Sequence, residues 1–327
     1  MIFEFTTAPG FDFISLFAKQ INVSVRDNLL EIPKTMGEGY VRRVAFGPDF
    51  KLTIHRYNLK EDLIVKRNPA GKPNNVRTIF FYNNTEEREL KYYSEENIPF
   101  AQRNDAFVLL STNDLKTEIR FPAGSDIHYM VVGITSERLH SILSIEKPNN
   151  TIEKIVAEDA SFLFFENFDA ELQLILKNIV AVDMHNSLNN FYVQIKVLEL
   201  MYLLFSKLSI RENTIVKNIN SNDAEKLLLI RNEILNDLGT PPILNELAGI
   251  ASMSETKLKQ LFKQTFGDTI YNYYQRARME EAAFLLKQAK HSVSEVGYEL
   301  GFSNLSHFSK LFEKHYGITP KKFSNTR

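Results

Sequence analysis

Short apolar runs broken by turn residues fill the chain to about residue 140, and the apolar spacing then changes to three and four residues. "YVRRVAF", "FKLTIHRYNL", "VRTIFFY", "AFVLLST", "KTEIRFP" and "HYMVVGIT" are rich in β-branched and aromatic residues. Gly47-Pro48-Asp49, Asn68-Pro69, Gly71-Lys72-Pro73, Asn83-Asn84, Asn113-Asp114 and Pro122-Ala123-Gly124 separate them. Many short strands at this spacing predict an antiparallel sandwich or barrel. "FDFISLFAKQI" near the start reads as a short helix.

"SERLHSIL", "FDAELQLILKNIVAV" and "NNFYVQIKVLELMYLLFSKLSI" carry helical spacing. In the last, Tyr192, Ile195, Leu198, Tyr202 and Phe205 share a face beside Glu199. Two such helices form an αα-hairpin that either covers the strands or meets a second copy of itself. Polar, turn-rich 213–223 predicts a linker, and "AEKLLLIRNEILNDL" opens an all-helical region that runs to Arg327. The expected division is 1–165 for the strand domain, 166–212 for the helical pair, 213–223 for the linker and 224–327 for the helical domain.

That last region contains a repeat, the mark of one supersecondary unit used twice. In the first copy Leu244, Leu247 and Ala251 line a short helix, and small Ala248 permits a close crossing. Ser254 is placed to cap a second helix that buries Leu258, Leu261, Phe262 and Phe266 and stops at Gly267. In the second copy Val293, Val296 and Leu300 line the first helix, and Gly297 takes the place of Ala248. Ser303 or Asn304 caps the next helix, which buries Phe308, Leu311 and Phe312 and ends at Gly317. Each copy is a helix-turn-helix by pattern. "TIYNYYQRARMEEAAFLLKQA" between them reads as one helix about 31 Å long at ~1.5 Å per residue. Major grooves on one face of B-DNA recur every ~34 Å, so such a connector suits two helices in adjacent grooves.

Charge adds a mild asymmetry. Net charge is −1, yet from Ala224 to Arg327 there are 14 Lys and Arg against 11 Asp and Glu, the sign that suits an anionic partner. With no cysteine, disulfides, Cys-ligated zinc, Fe–S clusters and thiol catalysis are excluded. The N-terminal "MIFEFTTAPG" lacks a basic n-region, and no apolar run reaches the ~18 residues of a spanning helix. A cytoplasmic location with no membrane partner is the expectation.

The motifs "LA…SMSETKLKQLFKQTFG", "RARMEEAAFLL" and "GFSNLSHFSKLFEKHYGITPKKF" resemble the DNA-binding domain of the AraC/XylS family of transcription regulators. The resemblance covers the last ~100 residues, with Ile270 where that family usually has Pro, Glu281 where a basic residue is common and Phe323 where Tyr is usual. It implies an α+β chain: an N-terminal antiparallel, cupin-like β-barrel with an αα-hairpin, then an all-α domain with two helix-turn-helix motifs joined by a long helix. It implies a sequence-specific regulator, double-stranded DNA as partner, a small-molecule effector, a homodimer, and RNA polymerase as a further partner. "GEGYVRRVAFGPDFKLTIHRYNL" also resembles siderophore- and metabolite-responsive members.

Family logic places base contacts at Thr256, Lys259 and Gln260, with Lys263 further along, and at Asn304, Ser306, His307 and Lys310. Lys meets guanine acceptors, Gln or Asn pairs with adenine, and Ser or Thr adapts. Lys257, Lys321, Lys322 and Arg278 are phosphate candidates. The plain alternative for each is a solvated helix face, and for Arg278 a structural ion pair.

An enzyme is not expected, nor a cofactor or metal. His55 and His128 stand on separate strands without an HxH pair, whereas a metal cupin needs two or three His and a carboxylate. No GxSxG elbow supports a hydrolase. DNA-repair alkyltransferases carrying this helix pair need an acceptor Cys, which is absent. Two alternatives remain: a regulator of the same fold controlled by abundance or a protein partner, and a cupin metalloenzyme fused to a DNA-binding domain. The aromatics Phe80, Phe81, Tyr82, Tyr92, Tyr93, Phe100 and Phe107 suit either an apolar pocket or an ordinary core. "KYYSEENIPF" reads as a lid or arm between strands.

Overall fold

The computed structural model describes residues 1–7, 11–69, 75–83, 106–167, 170–182, 188–212, 216–288 and 290–325. Tyr92, Tyr93, Phe100, the stretch "KYYSEENIPF" and the Gly71-Lys72-Pro73 turn lie outside the described residues. The chain forms two units, Met1–Glu225 and Lys226–Arg327. The first is sheet-rich and the second all-helical.

In the first unit the strands are β1 (Ile2–Thr6), β2 (Leu29–Glu31), β3 (Gly37–Ala45), β4 (Phe50–Leu59), β5 (Leu63–Asn68), β6 (Val76–Asn83), β7 (Ala106–Thr112), β8 (Thr117–Phe121), β9 (Asp126–Thr135) and β10 (Leu163–Asn167). The expected single barrel does not close. Among the described residues seven strands form one antiparallel sheet in the order β10-β7-β6-β9-β4-β3-β2, and three form another in the order β1-β5-β8. β1 runs parallel to β5, against the all-antiparallel expectation. The cause is a diversion of strands: β5 and β8 pair with each other and with β1, so β2 and β10 are left as separate edges.

The long sheet has two working faces because side chains alternate along each strand. Phe50, Leu52 and Ile54 of β4 and Met130, Val132 and Ile134 of β9 belong to the buried core that includes the helices. Those helices are α2 (Ser136–Leu143), α3 (Asn150–Val156), α4 (Ala170–Val180) and α5 (Asn189–Ser209). The opposite face meets the small sheet and α1 (Phe13–Gln20), the short helix expected near the start. Here Tyr129 stacks on His55 at 4.0 Å and on Phe121 of β8 at 5.3 Å, and Phe13 meets His55 edge-on at 4.8 Å.

Long α5 is apolar on both sides. Val193, Val197, Leu200, Met201, Leu204, Phe205 and Leu208 are buried. Of the face named from spacing, Phe205 is buried, but Tyr192, Ile195 and Tyr202 are 38%, 46% and 70% exposed. Polar groups fix both ends of this helix. Arg42 Nη2 donates to Asn190 Oδ1 at 3.0 Å, and Asn149 Nδ2 donates to the carbonyls of Leu208 and Ser209 at 3.0 Å each. The last two orphan carbonyls are thereby satisfied.

After α5 the chain passes 216–220 without helix, and the Ile219 N–H donates to Ser161 O at 3.2 Å. The next helix, α6 (Ser221–Asn236), begins three residues before the expected start at 224. It is followed by α7 (Leu244–Ala251), α8 (Glu255–Phe266), α9 (Ile270–Lys287), α10 (Val293–Glu299), α11 (Leu305–Tyr316) and α12 (Pro320–Asn325). Among the described residues no helix is long and apolar enough to cross a membrane.

Candidate nucleic-acid interface

Both repeat copies fold as helix pairs. Leu247, Ala248 and Ala251 of α7 are buried, as are Leu258, Leu261 and Phe262 of α8. Ser252 turns the chain at φ 53°, and Ser254 Oγ accepts from the Lys257 N–H, capping α8. In the second copy Ser292 and Glu295 form a reciprocal capping box on α10. Gly297 is where the helices cross: a Cβ there would lie 2.6 Å from Leu305 Cδ2 and 3.2 Å from Phe308 Cδ1. Asn304, rather than Ser303, caps α11. α8 and α11 end at Gly267 and Gly317, each at φ 74°.

Burying one face of each second helix leaves the other in solvent. Thr256, Lys257, Lys259 and Gln260 are exposed on α8, and Lys263 is half-buried. Asn304, Ser306, His307 and Lys310 are exposed at and along α11, and Lys321 and Lys322 on α12. Lys259 Nζ lies 3.7 Å from Glu255 Oε2, an exposed pair of the kind that costs little to break. Asn304 is less free: its Oδ1 accepts from the N–H groups of Ser306 at 2.9 Å and His307 at 3.2 Å. The acceptor half of its amide is thus engaged, and the bidentate pairing with adenine that a free Asn offers would require breaking the cap.

The expected connector is shorter than its sequence suggests. Thr269 Oγ1 accepts from the Asn272 N–H as the N-cap and Gln288 is the C-cap, so α9 has 18 residues, about 27 Å at ~1.5 Å per residue. Its buried polar side chains set the geometry at both ends. Arg231 Nε of α6 donates to Tyr273 Oη at 2.8 Å. Tyr274 Oη donates to Leu238 O at 3.1 Å. Arg278, a phosphate candidate by sequence, is 4% exposed. Its Nε donates to Leu300 O at 3.1 Å and its Nη2 to the same oxygen at 2.5 Å. Its guanidinium also lies 3.7 Å from the Phe302 ring centroid and 5.0 Å from that of Tyr274. Burial pushes the guanidinium's pKa down. Arg278 therefore ties α9 to the turn of the second copy through a backbone carbonyl and two rings, a structural role but not the ion pair expected.

In the first unit the candidate residues do not converge. His55 pairs with Tyr129 in register and Arg56 with His128, so the two histidines point to opposite sheet faces. His55 is 1% exposed, and its Nε2 lies 3.3 Å from Thr53 Oγ1. Burial pushes its pKa down to about 3. Tyr57 and Tyr129 hydroxyls share a hydrogen bond at 3.0 Å. Phe80, Tyr82 and Phe107 pack on one another, with Phe80 5.0 Å from Tyr129, so these rings fill the space between the sheets. Phe81 belongs to the other face, in the helix-covered core.

Residues 247–326 match a family model described as a helix-turn-helix domain. The chain is 32% identical over 80 residues to an HTH-type transcriptional regulator of Haemophilus influenzae, covering 24% of this chain and 27% of that protein. It is 31% identical over 101 residues to the HTH-type transcriptional activator RhaR of Yersinia pseudotuberculosis, covering 31% of this chain and 35% of RhaR. The match thus spans about a third or less of these curated relatives. A solved AraC-type DNA-binding regulator from Chromobacterium violaceum is 29% identical, covers 32% of this chain and 95% of its own, and has a TM-score of 0.30.

Proposed function

We propose that this chain, whose residues 247–326 are an AraC-type helix-turn-helix domain, is a sequence-specific transcription regulator that reads two adjacent major grooves. The observation that carries this reading is the paired presentation of α8 and α11. Each is N-capped, buried on one side, and lined on the other by exposed Lys, Gln, Ser, Thr or His. Helices so mounted at the two ends of a ~27 Å connector suit grooves ~34 Å apart.

In this reading Thr256, Lys259, Gln260 and Lys263 meet base edges in one groove, and Ser306, His307 and Lys310 in the other. Asn304 positions the second helix and offers only its amide hydrogens. Lys257, Lys321 and Lys322 hold phosphates. In this reading the N-terminal unit receives a small molecule. The exposed stripe of α5 joins two copies, RNA polymerase is a further partner, and the setting is the cytoplasm. Effector binding shifts the population of DNA-competent arrangements.

The test is selection of genomic fragments by the purified full chain at fixed salt, followed by sequencing. A motif of two half-elements about one helical turn apart is the expected result. Salt-sensitive retention with no motif, with and without candidate effectors, would overturn sequence-specific reading.

A further inference from the structure

The helix-covered face of the long sheet changes character at one register step. Ile54 and Met130 are opposed and buried. The next pair on the same face is Arg56 opposite His128. Two basic side chains directly opposed on an antiparallel ladder gain nothing from each other, and repel when both are charged. His128 Nε2 lies 2.9 Å from Asp126 Oδ1, without an aligned hydrogen bond. Among the described residues Arg56 has no side-chain hydrogen bond or ion pair, and neither does Lys177, which α4 brings to the same place. Beneath these groups is a cavity of about 190 Å³ floored by Phe81, Met130 and Leu176.

An apolar floor under two cations that make no ion pair suits an amphiphilic anion. By register Glu38 and Asp126 share this face with Arg42 and Arg56, and with Lys177 and the partial negative end of α4 included, one added negative charge, not two, balances the site. Its volume is below the ~300 Å³ at which pockets start to hold drug-sized ligands, so the ligand is small. We infer that this cleft binds a small monocarboxylate with a short apolar body. The carboxylate sits between Arg56 and Lys177, and the body lies over Phe81, Met130 and Leu176. This rests on the reading that the N-terminal unit receives a small molecule. It assigns the site to the helix-covered face of the sheet, where Tyr129 also borders the cavity, rather than to the ring-filled space between the sheets. Because α4 packs on α5, occupancy would bear on the exposed stripe of α5.

The test is calorimetric titration of the full chain with cyclohexanecarboxylate and hexanoate, and with the corresponding neutral amides. The acids should bind and the amides should bind at least about tenfold more weakly. Arg56→Gln and Lys177→Gln, both at exposed positions, should each weaken the acids about tenfold and leave the circular dichroism spectrum unchanged. Equal binding of acid and amide, no binding of either, or full acid affinity in the double variant would overturn the site. DNA selection on the same preparations separates the two readings. Acid-sensitive DNA binding that persists in the double variant overturns this site alone. Charge-dependent acid binding by a chain that selects no DNA motif upholds the site and removes the regulator reading.

Discussion

Gly301 and Gly239 cross backbone to backbone: a Cβ on Gly301 would lie 1.8 Å from the Gly239 carbonyl oxygen. Gly301 is in the turn of the second helix pair, and Gly239 is in the loop that precedes the first. Asp237 shapes that loop by accepting from the N–H groups of Gly239 at 2.9 Å and Thr240 at 3.1 Å. With Tyr274 bound to Leu238 and Arg278 bound to Leu300, the two copies are joined by more than α9. Gly301→Ala should therefore cost about 3 kcal/mol or more, since positive φ and a backbone clash add. Gly317→Ala has the same φ of 74° and open space, and should cost about 1–2 kcal/mol. Urea unfolding followed by circular dichroism compares them, and equal losses would remove the crossing from the account.

Arg278 and Lys257 separate structural from phosphate-binding cations. Lys257→Ala, at an exposed position, should reduce the slope of log affinity against log salt by about 1 and leave stability nearly unchanged. Arg278→Ala removes a charged donor from a buried carbonyl and should cost about 2–3 kcal/mol of stability. Its salt slope should stay at the wild-type value. A reduced slope for the Arg278 variant would put that guanidinium on the nucleic acid instead.

The second unit was more legible than the first, for a physical reason. Helix pairs are local, so Ser254, Gly267 and Gly317 declare their own caps and stops, and the repeat checks each reading. Arg278 was harder because a charged side chain on a helix looks alike whether it faces water or a distant carbonyl. In the first unit β3, β4 and β6 to β9 were visible as apolar runs and β1, β2, β5 and β10 were not, and which strand pairs with which depends on long-range closure. "IFEFT" and "LIVKRN" are β1 and β5, and their parallel pairing draws β8 out of the main sheet. Nothing local in either sequence signals this. The face of α5 was named from spacing, but spacing alone did not distinguish the buried stripe from the exposed one beside it.

That exposed stripe makes its own prediction. Leu188, Phe191, Tyr192, Ile195 and Tyr202 are 65%, 61%, 38%, 46% and 70% exposed along one helix, and rows of this kind mark association surfaces. Ile195→Glu with Tyr202→Glu should convert a dimer to a monomer in sedimentation equilibrium with the helical spectrum retained. A wild-type chain that is monomeric at tens of micromolar would refute the assignment.

Base reading by α8 is tested with Lys259→Ala and Gln260→Ala together. Both side chains are exposed, so stability should hold. Each bidentate base contact carries about 1–3 kcal/mol of discrimination, so the preferred motif should lose information in one half-element only. Preference unchanged in both halves would move the reading surface elsewhere on the helix.

His55 should make the first unit acid-sensitive. Burial holds its imidazole pKa down to about 3 in the folded chain, against 6.5 when exposed. Below pH 6.5 the unfolded chain takes up a proton that the folded chain refuses, so unfolding gains from acid. The stability associated with the neutral ring is complete above about pH 6.5 and declines as pH falls toward 3, by ~1.4 kcal/mol per pH unit. Between pH 7 and pH 5 the loss should be about 2 kcal/mol. His55→Leu removes the titration and also removes an Nδ1 that is buried without a partner. Carboxylates such as Asp62, whose pKa is lowered chiefly by its hydrogen bond from Arg120, titrate in both chains and cancel in the difference. Urea unfolding of both chains at pH 7 and pH 5 reads that difference. Parallel losses in the two chains would mean that the imidazole reaches water in the folded state and that the stack on Tyr129 does not close the sheet interior.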